Sequence, residues 1–259
     1  MKKVLSIAGS DCSGGAGIQA DLKTITAHRM YGMTAITALT AQNTMGVYDV
    51  QEAEPKFVGL QLDCIMQDIF PDSVKIGMVS SPLIIEMIVE KLQQYKPRNV
   101  VVDPVMISTS GSRLLSKNAM DALITKLIPL ATIITPNIPE AACLSGMSIE
   151  TKEDMQKAAE KLAGKYDGNI LIKGGHLENS ADDLLYSNGE VTWFPGLRID
   201  NRNTHGTGCT LSSAIACNLA AGYDVKTGIK LAKEYLTGAL KDQLDLGKGS
   251  GPLNHCFSM

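Results

Sequence analysis

The residues of this chain that could do chemistry stand directly after short apolar runs. The run at residues 4–8 precedes a glycine-rich loop that begins at Gly9, and the run at 100–102 precedes Asp103. The run at 133–134 precedes the pair Asn137 and Glu140, and the run at 170–172 precedes Lys173. If the runs are parallel strands, their carboxyl ends meet at one edge of a sheet, where ligands bind in such folds. Oxygen ligands suit Mg²⁺ and a lysine neutralises phosphate, so the pattern predicts a metal–nucleotide site. Taken singly, Asp103 and Asn137 could instead be helix caps.

A second group of such residues lies at positions 203–214, Asn-Thr-His-Gly-Thr-Gly-Cys-Thr-Leu-Ser-Ser-Ala. Gly206 and Gly208 lead directly into a predicted helix of small residues, so unpaired backbone N–H groups and the positive end of the helix dipole face one point. We expect an anion to bind there. Cys209 falls in the first turn, where a thiolate is stabilised and the thiol pKa lowered, which would make it a base or nucleophile. The alternative is that Cys209 is a buried space-filler, which is our expectation for Cys12.

Other phosphate and metal motifs match less well. Gly9 and Gly14 have the spacing of a P-loop, but no Gly-Lys-Ser/Thr follows them. The run from Gly15 to Ala20 matches the G-x-G-x-x-A form of a dinucleotide loop and supports a competing hypothesis, a nicotinamide or flavin oxidoreductase. Residues 33–40, about 20 positions further on, contain no acidic residue to hold a ribose. The four histidines are too scattered for a zinc site.

The elements that must position these residues alternate regularly along the chain. Apolar runs predict strands at 4–8, 34–40, 73–77, 99–102, 132–134 and 169–172, and a hairpin of 184–186 with 191–194 around Asn188-Gly189 at the sheet edge. Helices are predicted after Ser116, after Thr151, from Ser81-Pro82, and at about 208–221 and 224–243. The alternation predicts an α/β fold, a mostly parallel sheet with helices on both faces. No linker divides the chain, so residues 1–259 are predicted to be one domain.

Composition limits the function classes. The chain has 259 residues and a formal net charge of −3, which excludes a nucleic-acid binder that works through bulk positive charge. Its six cysteines form no C-x-x-C pair, which favours a reducing compartment. The start of the chain resembles neither a signal peptide nor a membrane span, and no run reaches about 18 apolar residues. We therefore expect a cytoplasmic protein with no membrane or nucleic-acid partner.

Eight segments together resemble the hydroxymethylpyrimidine/phosphomethylpyrimidine kinases of thiamine biosynthesis, a branch of the ribokinase-like superfamily. The resemblance covers almost the whole chain, and its most specific parts are residues 13–24 and the Gly-Thr-Gly-Cys run at 206–209. The other segments are 7–11, 41–44, 75–78, 103–106, 135–141 and 173–176. The resemblance implies a ribokinase-like fold with a short flap near 107–113. It also implies a homodimer, the use of ATP and Mg²⁺ with an optional monovalent cation, and two successive phosphorylations of 4-amino-5-hydroxymethyl-2-methylpyrimidine.

The resemblance also implies a role for individual residues. Gln42 would bind the polar edge of the pyrimidine, which suits an amide that offers both a donor and an acceptor. Cys209 would be the base, and Lys173 would contact phosphate. The remaining roles are the substrate pocket (Gly9, Ala16, Asp21, Met78 and Val105), the ATP and Mg²⁺ site (Asp103, Asn137 and Glu140, the last two holding Mg²⁺ directly or through water) and the anion hole (Gly206, Thr207 and Gly208).

Two alternatives stay open at this point. Some close relatives phosphorylate pyridoxal; those with two cysteines carry the second in the flap, whereas residues 107–113 of this chain contain none, and Gln42 also favours the pyrimidine. The other alternative is a nucleotide- or ligand-binding protein without catalysis. The intact set Asn137, Glu140, Lys173 and Cys209 argues against it, because a binder needs no base. His176 and His205 adjoin the motifs, and we expect each to make structural hydrogen bonds.

Overall fold

A computed structural model of the chain describes residues 1–106, 115–175, 181–196 and 198–259. The flap expected at 107–113 and His176 lie outside these ranges. Among the described residues, no helix is both long enough and apolar enough to span a bilayer.

The described strands form a single sheet of nine. Its spatial order is β3-β2-β1-β4-β5-β6-β7-β8-β9. The six central strands, β2-β1-β4-β5-β6-β7, pair in parallel. Strand β3 pairs antiparallel with β2 at one edge, and the β8–β9 hairpin pairs antiparallel with β7 at the other. The strands are β1 (Lys3–Asp11), β2 (Tyr31–Asn43), β3 (Gly46–Glu52), β4 (Ser73–Ile76), β5 (Val100–Val102), β6 (Ile133–Ile134), β7 (Asn169–Ile172), β8 (Asp183–Ser187) and β9 (Glu190–Phe194).

Helices cover both faces of this sheet, as the sequence predicts. Strand β5 shows why: Val100 and Val102 point into one apolar core, whereas Val101 points into the other. One core packs against α2, α3, α4, α5 and α6, and the other against α1, α7 and α8. The helices are α1 (Gly17–Ala27), α2 (Pro55–Asp68), α3 (Pro82–Tyr95), α4 (Lys117–Ala122), α5 (Ile138–Ser145), α6 (Lys152–Ala163), α7 (Thr207–Ala221) and α8 (Val225–Lys241).

Local sequence signals begin and end several of these elements. Ser116 caps α4, and Thr151 forms a capping box with Asp154 at the start of α6, both as predicted. The predicted hairpin is also present at the sheet edge. Asn188 and Gly189 both have positive φ values, 50° and 83°, which a two-residue turn of this kind requires.

The apolar pattern does not predict β3, which lies at the opposite edge. Its residues are exposed or half-buried along their whole length, so they show no buried alternation. Pairing with the long strand β2, rather than burial, holds this segment as a strand. Edge strands commonly lack an apolar face for this reason.

The strand order fixes where a ligand can bind. From β1 the chain first adds β2 on one side and later adds β4 on the other, so the order reverses around β1. At such a reversal the connections leave in opposite directions and open a crevice beyond the carboxyl ends of the strands. Gly9, near the end of β1, and Met78, just after β4, both lie at this crevice.

Candidate active site

A cavity of about 1030 Å³ opens at the carboxyl ends of the strands. It brings together residues that the sequence assigns to the substrate, nucleotide and catalytic parts of the site. Asp21 is the exception, because it is fully buried and does not line the cavity. The predicted residues that line it are Gly9, Ala16, Gln42, Met78, Asp103, Val105, Asn137, Glu140, Lys173, Gly206, Thr207, Gly208 and Cys209.

The first turn of α7, the predicted anion site, lines the cavity. Gly206 precedes the helix with a φ of 85°, and a Cβ there would collide with the carbonyl oxygen of Gly15. Glycine is therefore required both by the backbone conformation and by the close approach of the glycine-rich loop. The Thr207 N–H donates to the Thr204 carbonyl at 3.2 Å, but the N–H groups that follow it in the first turn have no partner within the helix, so they and the helix dipole can face a phosphoryl group in the cavity.

An ion pair lies against this first turn. The Lys173 Nζ atom is 2.8 Å from Oδ1 of Asp103, which also accepts a hydrogen bond from the Thr135 hydroxyl at 3.1 Å. A Cβ on Gly208 would lie 3.2 Å from Oδ2 of Asp103 and 3.3 Å from Nζ of Lys173. Burial lowers the pKa of Lys173, but Asp103 and Glu140 raise it more, so the lysine stays charged. Asp103 therefore acts as the partner of a lysine rather than as a helix cap.

Asn137 and Glu140 do form a helix cap. The Asn137 side chain accepts from the Glu140 N–H at 2.9 Å, and the Glu140 carboxylate accepts from the Asn137 N–H at 2.8 Å, which makes a capping box for α5. Glu140 also accepts from the Met106 N–H at 3.3 Å. Burial and the nearby Asp103 raise the pKa of Glu140 to about 7, although Lys173 opposes this. Both residues still line the cavity, so the cap also places oxygen atoms at the predicted ATP and Mg²⁺ site.

These oxygens suit a Mg²⁺ ion that keeps most of its water. Among the described residues, no group of three or more His, Cys, Asp or Glu side chains is placed to hold a metal. Mg²⁺ commonly binds through one or two carboxylates, water and substrate phosphates, without a protein cage. Asn137 and Glu140 offer an amide oxygen and a carboxylate to the cavity, and Asp103 adds a second carboxylate, which fits that manner of binding.

Cys209 lies where two helices begin. Its sulfur accepts a hydrogen bond from the N–H of Gly17, the first residue of α1, and its own backbone belongs to the first turn of α7. The prediction of a lowered thiol pKa is wrong for the free protein. Burial raises the pKa of Cys209 to about 11; Asp21 and Asp103 also raise it, and Lys75 lowers it only in part. The helix terminus alone does not offset the loss of water around the sulfur.

Asp21 lies beneath the floor of the cavity, in an ion pair with Lys75. The Lys75 Nζ atom is 2.8 Å from each carboxylate oxygen of Asp21, and both side chains are completely buried. The role of Asp21 as a wall of the pocket stays a prediction that its position does not support. Sequence reasoning missed Lys75 as part of the site, although a lysine between Val74 and Ile76 in a buried strand is an unusual signal.

Asp11 and His205 hold the glycine-rich loop against α7. Asp11 accepts hydrogen bonds from the N–H groups of Ser13, Gly15 and Ala16 at 2.8–3.0 Å, and the Nε2 atom of His205 lies 2.8 Å from its Oδ2. Burial raises the pKa of Asp11, but the hydrogen bonds outweigh it and hold the pKa at about 2. His205 is thus a structural hydrogen-bonding residue, as predicted. The sequence does not identify Asp11 as its partner.

Gln42 stands at the opposite end of the cavity, near the end of β2. The Cys12 sulfur donates to its carbonyl oxygen at 3.1 Å and accepts from its N–H at 3.4 Å. Cys12 is exposed, so the expectation that it fills buried space is wrong. Its backbone leaves β1 in the glycine-rich loop, where the side chain meets β2 instead of the core.

A further ion pair lines the cavity. Lys233 of α8 contacts Asp183, whose other carboxylate oxygen accepts from the N–H of Gly174 at 2.8 Å. Asp183 and Lys233 both line the cavity, as do Leu236 and Thr237 of α8. Sequence patterns indicate α8 only as an amphipathic helix and give no sign that it reaches the site.

A doubly covered sheet with a glycine-led helix N-terminus at the cavity is typical of the ribokinase-like class of proteins. The chain belongs to the phosphomethylpyrimidine kinase family, whose model matches residues 11–254.

Individual relatives agree with this membership. The chain is 44% identical to the hydroxymethylpyrimidine/phosphomethylpyrimidine kinase of Streptomyces coelicolor, over 99% of the chain and 95% of that protein. It is 47% identical to the thiamine biosynthesis bifunctional protein ThiED of Geobacter sulfurreducens; the match covers 98% of the chain but 52% of that protein, so the chain spans about half its length. The crystal structure of an ADP complex of Bacillus subtilis pyridoxal kinase is 40% identical, with a TM-score of 0.91, and the match covers 98% of this chain and 97% of that one.

Proposed function

We propose that the protein transfers the γ-phosphoryl group of ATP to 4-amino-5-hydroxymethyl-2-methylpyrimidine and then transfers a second one to the monophosphate, for thiamine biosynthesis. One observation carries the proposal: a single cavity joins Gln42, the expected pyrimidine contact, to the Asp103–Lys173 pair, the expected phosphate contact. Cys209 lines the same cavity beside Gly208. The names of the relatives support the same substrate, and the ADP in the pyridoxal kinase complex supports a nucleotide.

The first transfer needs a proton acceptor. As the hydroxymethyl oxygen forms its bond to the γ-phosphorus, the bond from that phosphorus to the ADP oxygen breaks, and the hydroxyl proton passes to the Cys209 thiolate, which is the minor form of this side chain in the free protein. The N–H groups of the first turn of α7 and the Lys173 ammonium stabilise the charge on the phosphoryl oxygens. Bound Mg²⁺, held by Asn137 and Glu140 directly or through water, would supply further neutralisation of the phosphate charge.

The second transfer needs no base, because the attacking group is already a phosphate anion. We therefore expect Cys209→Ala to slow the first phosphorylation about 100-fold or more, the size typical of a lost general base, and the second much less. Purified protein supplied separately with the alcohol and the monophosphate, with ADP release as the readout, measures both rates. Cys64→Ala, which changes an exposed cysteine of α2, is the matched control and should leave both rates unchanged. Equal losses in the two steps would remove Cys209 as the base.

Pyridoxal is a second candidate substrate, favoured by the close structural match to a pyridoxal kinase. Competition between pyridoxal and the pyrimidine alcohol, with each product identified by mass spectrometry, separates the two activities. We expect the pyrimidine to be preferred, because Gln42 lines the cavity with an amide. Turnover of pyridoxal alone would select the other kinase, and binding without any turnover would indicate a non-catalytic binding protein.

The remaining expectations concern the setting of this activity. We propose a single domain of residues 1–259 that acts as a homodimer in the cytoplasm and accepts an optional monovalent cation. Sedimentation equilibrium measures the assembly state, and assays with and without K⁺ test the cation. A monomer at micromolar concentration, or rates that do not change with K⁺, would remove the corresponding part of the proposal.

A further inference from the structure

A completely buried ion pair lies beneath the proposed base. The Lys75 ammonium contacts both oxygens of the Asp21 carboxylate at 2.8 Å, and neither side chain is exposed. The hydroxyl groups of Ser6 and Ser213 donate to the same carboxylate at 2.5 and 2.7 Å. Removing two charges from water is costly, and well-packed apolar residues usually serve stability as well or better. The pair therefore calls for a role besides stability.

The hydrogen bonds of Asp21 join the two helices that begin at Cys209. The N–H of Gly17, at the start of α1, donates to the Cys209 sulfur in α7. One turn further along both helices, Ser213 of α7 donates to Asp21 of α1. Residues four apart lie on the same face of a helix, so these two contacts lie one above the other and hold the helix starts side by side.

Lys75 places a fixed positive charge next to this junction. It lies on β4, and a Cβ on Gly77 would come within 2.7 Å of its Nζ, so the missing side chain leaves room for the ammonium. The charged groups that face Cys209 are Lys75 from β4, Asp21 from α1, Asp103 after β5 and Lys173 after β7. Asp103 and Lys173 pair with each other. The Lys75–Asp21 pair is therefore a second, separate ion pair beneath the sulfur.

We propose that Lys75 and Asp21 are positioning residues for the reaction: Lys75 stabilises the negative charge of the Cys209 thiolate, and Asp21 holds Lys75 in place, offsets part of its charge and fastens α1 to α7. The proposal rests on the proposed function in one respect, namely that Cys209 accepts the substrate proton. It gives Asp21 a role beneath the pocket, where the structure places it, instead of in the pocket wall.

The direct test is the rate at which iodoacetamide alkylates Cys209 as a function of pH, followed by mass spectrometry of its peptide. Cys209 is partly exposed to the cavity, so the reagent can reach it. The measurement reports the thiolate and needs no substrate. In the double variant Lys75→Met/Asp21→Asn, the asparagine oxygen still accepts from one of the two serines, Ser6 or Ser213, and the hydroxyl oxygen of the other can accept from the amide N–H. We expect the profile to move up by about half a pH unit, which slows alkylation near pH 8 about threefold.

A second variant should shift the alkylation profile in the opposite direction. In Asp21→Asn alone, the Lys75 ammonium loses its carboxylate and can pair with the thiolate, so the alkylation profile should move to lower pH. The matched control is Lys91→Met/Asp63→Asn, the same exchange in a partly exposed ion pair between α3 and α2, which should leave the profile unchanged. Thermal unfolding shows which variants remain folded; if the double variant does not fold, Asp21→Asn alone decides.

The outcomes separate a positioning role from a structural one. A folded double variant with the wild-type profile, or two variants that shift in the same direction, would overturn the proposal. The first phosphorylation of the double variant should also slow relative to its second. If the profile shifts as expected but the wild-type protein does not phosphorylate the pyrimidine, the proposed function fails while the role of the pair stands.

Discussion

The sequence identifies Cys209 as the candidate base, but it does not predict the ionisation of the Cys209 thiol. Its place in the first turn of a glycine-led helix predicts an electropositive surrounding, and the structure has that helix start. The same place is only partly exposed and faces Asp21 and Asp103; the loss of water and the two carboxylates raise its pKa to about 11. Burial and through-space charges depend on residues far away in the chain, so a local motif does not report them.

Cys12 is a second residue whose role depends on a distant partner. Its sulfur makes two hydrogen bonds with the backbone of Gln42, the expected pyrimidine contact. We expect Cys12→Ala to raise KM for the pyrimidine about threefold to tenfold, because a lost hydrogen bond costs about 1 kcal/mol, and to leave KM for ATP unchanged. Steady-state kinetics with each substrate varied in turn measures both.

Cys12→Ser is the matched control, because a hydroxyl group can donate to and accept from the same two backbone atoms. It should restore most of the affinity for the pyrimidine. If Cys12→Ala raises KM for ATP as much as KM for the pyrimidine, then Cys12 supports the whole loop rather than Gln42.

At the scale of the elements, the sequence predicts those parts that local chemistry decides. The Asn188-Gly189 turn and the capping boxes at Asn137 and Thr151 depend on neighbouring residues alone, and the hairpin and the helix starts lie where the patterns place them. Strand β3 has no such signal, because pairing with β2 stabilises it. Lys75 likewise needs a partner 54 residues away, and its place in an apolar strand says only that some partner must exist.

The close contact between Gly208, in the first turn of α7, and the Asp103–Lys173 pair can be tested by substitution. A Cβ at position 208 would lie 3.2 Å from Asp103 Oδ2 and 3.3 Å from Lys173 Nζ, which is tight enough to displace the pair. Alanine is also the better helix former, by up to about 1 kcal/mol. We therefore expect Gly208→Ala to lower kcat about tenfold in both phosphorylations while the thermal midpoint stays the same or rises. Kinetics and thermal unfolding of the same preparation check the two halves of the prediction.

Gly228→Ala is the control for this change. Position 228 is also inside a helix, and a Cβ there would make ordinary contacts of 3.5 Å with Asn218 and 3.7 Å with Leu219. It should leave kcat unchanged. Wild-type kcat in Gly208→Ala would mean that the Asp103–Lys173 pair adjusts freely and that its position against α7 does not matter.

At the scale of the whole molecule, the site joins residues from both ends of the chain. The contact between Asp11 and His205 spans 194 positions, and it places the glycine-rich loop next to the start of α7. The alternation of strands and helices predicts that the loop ends converge, because a parallel sheet puts them all at one edge. It does not predict which side chains bond there. That depends on the strand order β2-β1-β4, which single-sequence patterns leave undetermined.

The Asp11 contacts also predict how the stability of the whole molecule depends on pH. The folded-state pKa of Asp11 is about 2, below the ordinary value of 3.8, so the ionised carboxylate stabilises the fold above about pH 4 and this contribution is lost as pH falls towards 2. We expect Asp11→Asn to lower the free energy of unfolding at pH 7 by about 2 kcal/mol, and the gap to the wild-type protein to shrink between pH 5 and pH 3. Urea unfolding at pH 7, 5 and 3 measures the gap. Asp121→Asn, at an exposed position in α4, should show no gap at any of these values. A gap in Asp11→Asn that stays constant down to pH 3 would mean that shape, and not charge, is what Asp11 contributes.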